Sequence, residues 1–355
     1  MSINLHTKYE KKLVDAYTFK SFLAGRAKGE FDFTGNRTIH LSNIITQALN
    51  DYDKTSTTDR YGGMKELQDT YQELTLSQDK AFKIAIDQAN NKDQNDMKEA
   101  GRVMQAEIDE QFVPTCDKRS LSQWAAFAGQ TVAIGNATIT GNLLIQALVD
   151  IETGFENTAV PVSDRYVALK NSMIAKLRMA DRWQYCDNQT EKYLEKGQVT
   201  NFGTLKIFGM PDAWFPTNVE GLAFQSKAVL SPMKIKDCRI KDDSEFINGA
   251  LLLGRFYYDA FVVGRRCDGV CALVDNGKKT AAPTVTKATN TTLASTTSSA
   301  VIYYTTDGSD PRYSATRVTY SAAITNPDAG VVIKAVAQYV AGGYYWSDVT
   351  EHTCV

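Results

Sequence analysis

Apolar and polar residues alternate with a period of two in TIHLS, where Ile39 and Leu41 stand between Thr38, His40 and Ser42. The same period returns in ELTLS and AFKIAID, through Leu74, Leu76, Phe82, Ile84 and Ile86. It puts one side of an extended chain on a core, so each run predicts a strand. Between them lies NDYDKTSTTDRYGG, which has few groups to bury. Such an excursion is expected either to move or to lie against another molecule. From Asp96 the period lengthens. DMKE fits a capping box, and Met97, Ala100, Gly101, Met104, Ile108 and Phe112 then recur three and four apart. The stripe predicts a long amphipathic helix lying on a sheet and ended by Pro114. A second helix is expected from near Thr140, with Leu144, Ala147, Leu148, Ile151 and Phe155 on its apolar side. The strand-like YVALK and a short helical pattern, SMIAKLRMA, follow.

Between Gln198 and Leu273 the pattern breaks into short strands, TLKIFGMP, KAVLSPMKI, GRFYYDAFVV and GVCALV, divided by Gly and Pro turns. The region up to that point is therefore mixed α+β. DNGKKTAAPTVTKATNTTLASTTSSA then shifts composition to Thr, Ser and Ala. After it AVIYYTT, TRVTYSAA, VVIKAVAQYV and YYWSDV predict a small all-β sandwich, joined through a linker near Pro283. At the other end, KYEKKLVDAYTFKSFLAG reads as a charged arm leading through GEFDFTGNRTIHL into the first strand.

A chain of 355 residues, 43% hydrophobic, has the length for two domains. Its net charge of −2 supplies no broad basic field for gripping nucleic acid, so a dedicated DNA-binding role is not expected. Apolar runs such as GALLLG fall far short of the roughly 20 residues of a membrane helix, and the opening MSINLHTKYEKKL has no signal-like apolar segment. The expectation is a soluble chain with no cleaved signal. Six cysteines, at 116, 186, 238, 267, 271 and 354, are too sparse for a disulfide scaffold and read as reduced thiols. Cys267 and Cys271 lie far in sequence from His6, His40 and His352, and are expected as small buried hydrophobes rather than metal ligands.

Catalytic signatures are missing from the sequence: it has no G-x-S-x-G elbow, phosphate loop or H-E-x-x-H. GQTVAIGN, residues 129–136, lacks dinucleotide spacing and predicts a tight turn. Glu107, Asp109 and Glu110 fall mostly off the apolar stripe, on a solvated or intersubunit face. In YYTTDGSDPRYSA, Asp307 and Asp310 offer oxygen to a hard cation, but two carboxylates are too few. Turn chemistry is the simpler account: Gly308 supplies a positive φ, Asp310 caps the turn and Pro311 fixes the exit. Tyr303, Tyr304, Tyr344, Tyr345 and Trp346 would serve either as a sugar-stacking surface or as sandwich core, and the core is preferred. No catalytic residue, metal or cofactor is expected.

The order of these elements resembles the tailed-phage major capsid proteins of the Hong Kong 97 type. The resemblance is carried by TIHLSNIITQALNDYDKTSTTDRYGG through LTLSQDKAFKIAID, by DMKEAGRVMQAEIDEQFVP, and by INGALLLGRFYYDAFVVGRRCDGVCALV. It implies an N-terminal arm (1–37), an extended loop (38–87) reaching over a neighbouring subunit, and peripheral and axial domains (88–276). It further implies hexamers and pentamers in a virion shell, portal and scaffold partners, weak contact with packaged DNA, no membrane and synthesis in the host cytoplasm. The interface candidates in the loop are Asp51, Tyr52, Asp53, Lys54, Asp59, Arg60 and Tyr61. Lys54 and Lys65 are read as solvated rather than cross-linking. Residues 277–355 resemble the immunoglobulin-like C-terminal domain of chitobiase and β-hexosaminidase through Tyr304, Thr306, Asp307, Gly308, Asp310 and Pro311. That likeness implies a fold and an exterior decoration, not hydrolysis. The competing readings are an encapsulin-type compartment, a surface or adhesion protein whose C-terminal domain binds cell-surface carbohydrate, and a hydrolase whose active site bears none of these signatures.

Overall fold

The computed structural model describes residues 21–27, 38–44, 49, 51–58, 60–61, 69–88, 100–134, 139–180, 198–241, 248–275, 278–287, 290–325, 330–341 and 343–354. The DMKE capping box, Met97, Asp59, Lys65, His6, Cys186 and most of the arm lie outside them. The chain divides into two compact units, 1–37 with 76–276, and 38–75 with 277–355.

The first predicted strand pair is a two-stranded antiparallel ribbon, β1 (Thr38–Ile44) with β2 (Asp69–Thr75), in register from Thr38 opposite Thr75 to Ile44 opposite Asp69. The Thr38 and Thr75 hydroxyls meet across it at 2.8 Å. AFKIAID becomes β3 (Gln78–Asp87) and pairs elsewhere.

In the first unit, a three-stranded antiparallel sheet in the order β10–β11–β3 joins β3 to β10 (Met233–Lys241) and β11 (Gly249–Tyr258). Its apolar face, with Phe82, Ile84, Ile86 and Leu252, packs on Ala100, Val103, Met104 and Ile108 of the long helix. That helix does not end at Pro114, as its sequence suggested. It runs through α1 (Ala100–Glu107), a π turn (Ile108–Phe112) and α2 (Val113–Ala126). Proline has no N–H and its ring crowds the carbonyl four residues back. Here the backbone widens just ahead of it, Val113 N donating to Ile108 O, and Pro114 falls in the first turn of the renewed α-helix, where an N–H is dispensable. The Thr115 hydroxyl donates to Gln111 O at 2.6 Å across the same stretch.

A six-stranded mixed sheet, β4–β13–β8–β5–β7–β6, forms the rest of this unit. Its strands are β4 (Gln130–Ile134), β5 (Arg165–Lys170), β6 (Gln198–Phe202), β7 (Leu205–Met210), β8 (Val219–Gln225) and β13 (Val270–Asp275). The two predicted helices, α3 (Gly141–Asn157) and α4 (Asn171–Arg178), supply Leu144, Leu148, Ile151, Phe155, Ile174 and Leu177 to one core with Val167, Leu169, Ile207 and Leu273. Thr140 caps α3, its side chain accepting from Leu143 N. Cys271 lies in that core and Cys267 is also buried. Trp124 of α2 is buried beside Phe224, ring centroids 5.1 Å apart, and donates to Leu230 O. Gly129 leads into β4 so close to Cys267 that a Cβ there would meet its carbonyl oxygen, which explains the glycine without any phosphate site. KAVLSPMKI divides at Ser231–Pro232 into β9 (Val229–Leu230) and β10, and β9 pairs with β12 (Phe261–Val262).

The C-terminal segment is a small all-β sandwich of two sheets, β14–β15–β18 and β17–β16–β19–β20. These are β14 (Thr284–Lys287), β15 (Asn290–Ala294), β16 (Val301–Thr305), β17 (Val318–Thr319), β18 (Ile324–Thr325), β19 (Val332–Gln338) and β20 (Thr350–Thr353). Leu293, Ile302, Ala335 and Ala337 are its core. Two expectations change. Pro283 is inside the module rather than in a linker: Thr280 N already donates to Tyr345 O, and Thr350 Oγ1 donates to Pro283 O. YYWSDV is not a strand: it makes a single bridge, Tyr345 with Lys279, and Ser347 N donates to Ala337 O, while Trp346 is 5% exposed against Tyr303. TEHT forms the last strand instead.

Candidate interaction sites

The sequence singled out two loops. In the first, Asp51, Tyr52, Asp53, Lys54, Arg60 and Tyr61 are all exposed, and local bonds bring the two ends of the loop together. Asp53 N donates to Arg60 O at 3.0 Å, and the Tyr52 and Tyr61 rings meet edge to face 5.1 Å apart. Asp53 Oδ1 accepts from the N–H of Thr55 at 2.8 Å and its hydroxyl at 2.6 Å, while Arg60 Nε donates to Ser56 O. These bonds from Thr55 hold the Asp53 carboxyl below its ordinary pKa. An Asx turn at Asp53 thus braces the described part of this excursion from within. Tyr61, at 81% exposure, nevertheless presents an aromatic face to the outside.

In the second loop, Gly308 has φ +74°, as the turn reading requires. Asp307 Oδ1 accepts from Ser309 N at 3.0 Å and from the Ser309 hydroxyl, and its Oδ2 accepts from Thr316 Oγ1 at 2.6 Å. Burial, the largest single influence, raises the Asp307 carboxyl, but the bonds from Ser309 and Thr316 together outweigh it and hold it below its ordinary pKa. Asp310 accepts from Arg312 N at 2.9 Å and grips the Arg312 guanidinium through Nε and a terminal nitrogen at 2.5 Å. The Arg312 side chain is 2% exposed, and Pro311 beside it is buried. Both carboxylates are therefore committed to their own loop. Trp346 is internal, while Tyr303, Tyr304, Tyr344 and Tyr345 are half-buried.

Two buried polar clusters went unremarked in the sequence. Asp259, between β11 and β12, accepts from Ser77 N (2.9 Å), Ser77 Oγ (2.7 Å), Arg119 Nε (3.0 Å) and Ala260 N (2.9 Å). It fastens the chain to α2 two residues after the ribbon ends. Asp117, also on α2, accepts from Ser21 Oγ and Phe22 N of the arm. Arg26 closes the same turn, its guanidinium 4.2 Å from the Phe208 ring centroid while Ser226 Oγ donates to its carbonyl. Burial raises the pKa of Asp117 despite these bonds. A lone aspartate inside the apolar run FYYDAFVV was a readable signal for Asp259; nothing in the local sequence marked Asp117.

Residues 280–348 match the chitobiase/beta-hexosaminidase C-terminal domain family. No curated protein matches the chain in sequence. Solved structures resemble it in fold. A chain from the capsid structure of cyanophage P-SCSP1u superposes with TM-score 0.62 at 13% identity, covering 77% of this chain and 93% of that one. A chain from the mature capsid of bacteriophage PhiM1 gives 0.60 at 12% identity, over 78% and 93%. One from Mycobacterium phage Che8 gives 0.56 at 16% identity, over 78% and 98%. The fold is thus that of phage capsid proteins, of the Hong Kong 97 type, with an immunoglobulin-like module at its C-terminus.

Proposed function

We propose that this chain is the major capsid protein of a tailed bacteriophage, a non-enzymatic subunit that assembles as hexamers and pentamers into an icosahedral shell around double-stranded DNA. The observation that carries the reading is the fold likeness to capsid chains over nearly their whole length. The braced yet exposed loop from Asp51 to Tyr61 supports it, because a hydrogen-bonded knob bearing Tyr52 and Tyr61 suits an intersubunit contact. Asp51, Asp53, Lys54 and Arg60 would form the polar rim of that contact. In this reading 1–37 is the arm, 38–87 the intersubunit loop, 88–276 the peripheral and axial body, and 277–355 an exterior decoration. Portal and scaffold proteins are its partners and packaged DNA is held weakly. Many modest interfaces, each reinforced by its neighbours, add up to a shell.

Negative-stain electron microscopy of the purified chain, beside a sizing column, tests this. Closed shells or capsomer rings are expected. A persistent monomer across a range of salt would overturn the proposal, and particles filled with protein cargo instead of nucleic acid would reassign it to a compartment.

A further inference from the structure

The sheet β10–β11–β3 carries seven basic residues and three acidic ones, in a chain whose net charge is −2. One face is spent on the long helix. On the other, register aligns Asp237, Arg255 and Ala81 in one row and Arg239, Leu253 and Lys83 in the next, with Lys241 beyond. These rows line a groove of about 370 Å³. Its floor is small and apolar, from Ala81, Leu253 and Gly254, and its walls are basic. Lys83, Arg239, Lys241 and Arg255 are all exposed. The same face also carries Asp79, Asp87 and Asp237. Two solvent-exposed ion pairs, Arg239 with Asp237 at 2.8 Å and Arg255 with Asp79 at 2.7 Å, use two of these carboxylates, so the basic excess at the groove is small and centres on Lys83 and Lys241.

We propose that this groove binds an acidic, extended segment of a partner protein, its carboxylates against the basic walls and alternate apolar side chains on Ala81 and Leu253. Lysines on edge strands also deter pairing between sheets. That role needs no groove, and Arg255 stands on the central strand. Arg239 and Lys241 on β10 face Lys83 on β3 across two strand spacings, about 10 Å, with Leu253 and Arg255 of β11 between them, a width that accepts one extended chain. The apolar floor rewards side chains rather than a sugar–phosphate backbone, which favours a peptide over nucleic acid. The proposal rests on the shell reading for why such a partner exists, but binding does not require assembly.

The test is fluorescence anisotropy with a labelled synthetic peptide of alternating glutamate and valine, titrated with the unassembled full chain. Saturable binding that weakens with salt is expected, as is a loss of about tenfold or more in Lys83→Glu with Lys241→Glu. Both positions are exposed; should the doubly reversed chain not fold, Lys83→Gln with Lys241→Gln is expected to lose affinity in the same direction. A peptide that does not bind, or binds equally to wild type and variants, overturns the proposal. So does displacement by a DNA oligonucleotide at lower concentration than by unlabelled peptide, which would assign the groove to nucleic acid. Shells that form normally from a chain that ignores the peptide would sink this inference and leave the capsid reading standing.

Discussion

Replacing Asp259 by alanine removes the acceptor for four donors at once, and its cost follows from the geometry. The carboxylate side chain is 3% exposed, while that of Arg119 is 29% exposed. Breaking a fully buried ion pair from one side costs about 3–5 kcal/mol, and the partial access of water to Arg119 places this case near 3. Asp259→Asn keeps one acceptor oxygen but turns an amide toward some of the donors, for about 2 kcal/mol. Ser77→Ala removes only the hydroxyl, because Ser77 N still reaches the carboxylate at 2.9 Å, and should cost about 1 kcal/mol. Urea titration of the unassembled chain measures all three as shifts in midpoint at unchanged m-value. Hydrogen exchange should show the loss centred on Ser77 and the middle of α2. The reasoning fails if Asp259→Ala stays within about 1 kcal/mol of wild type, or if Ser77→Ala costs as much as Asp259→Ala.

In the C-terminal module, Arg312→Ala should destabilise by about 3 kcal/mol through the stranded Asp310 and the lost packing, read from thermal unfolding by near-UV circular dichroism. Because the folded pKa of Asp307 is depressed, its stabilising contribution is present above the unfolded value and lost as pH falls below about 4. Acid titration of wild type against Asp307→Asn should therefore show the gap between them closing in that range. Thr140→Ala removes the α3 cap and should cost about 1 kcal/mol in urea. Asp53→Ala should leave the urea midpoint unchanged, since the loop is exposed, yet lower the yield of shells measured by sedimentation.

What could be read from the sequence divides along a physical line. Periodic burial was legible: Leu144, Leu148, Ile151 and Phe155 announce α3 because a helix on a sheet must repeat its apolar side every three or four residues, and all four are buried. Turn chemistry was legible where one residue type is required, as at Gly308 with φ +74°. Pro114 misled because the rule that proline ends helices assumes an α-helical turn before it, and a π turn removes the clash without marking itself in composition. The basic groove stayed hidden for a related reason. Lys83 on β3 and Arg239 on β10 are 156 positions apart in sequence and become neighbours across Leu253 only through pairing register. The near-zero net charge, read as excluding a strongly basic surface, averages over that local excess. Since charge falls off within a Debye length of about 8–10 Å, a partner meeting this sheet responds to the patch and not to the total, so the weak overall field and a specific acidic partner are compatible in one chain.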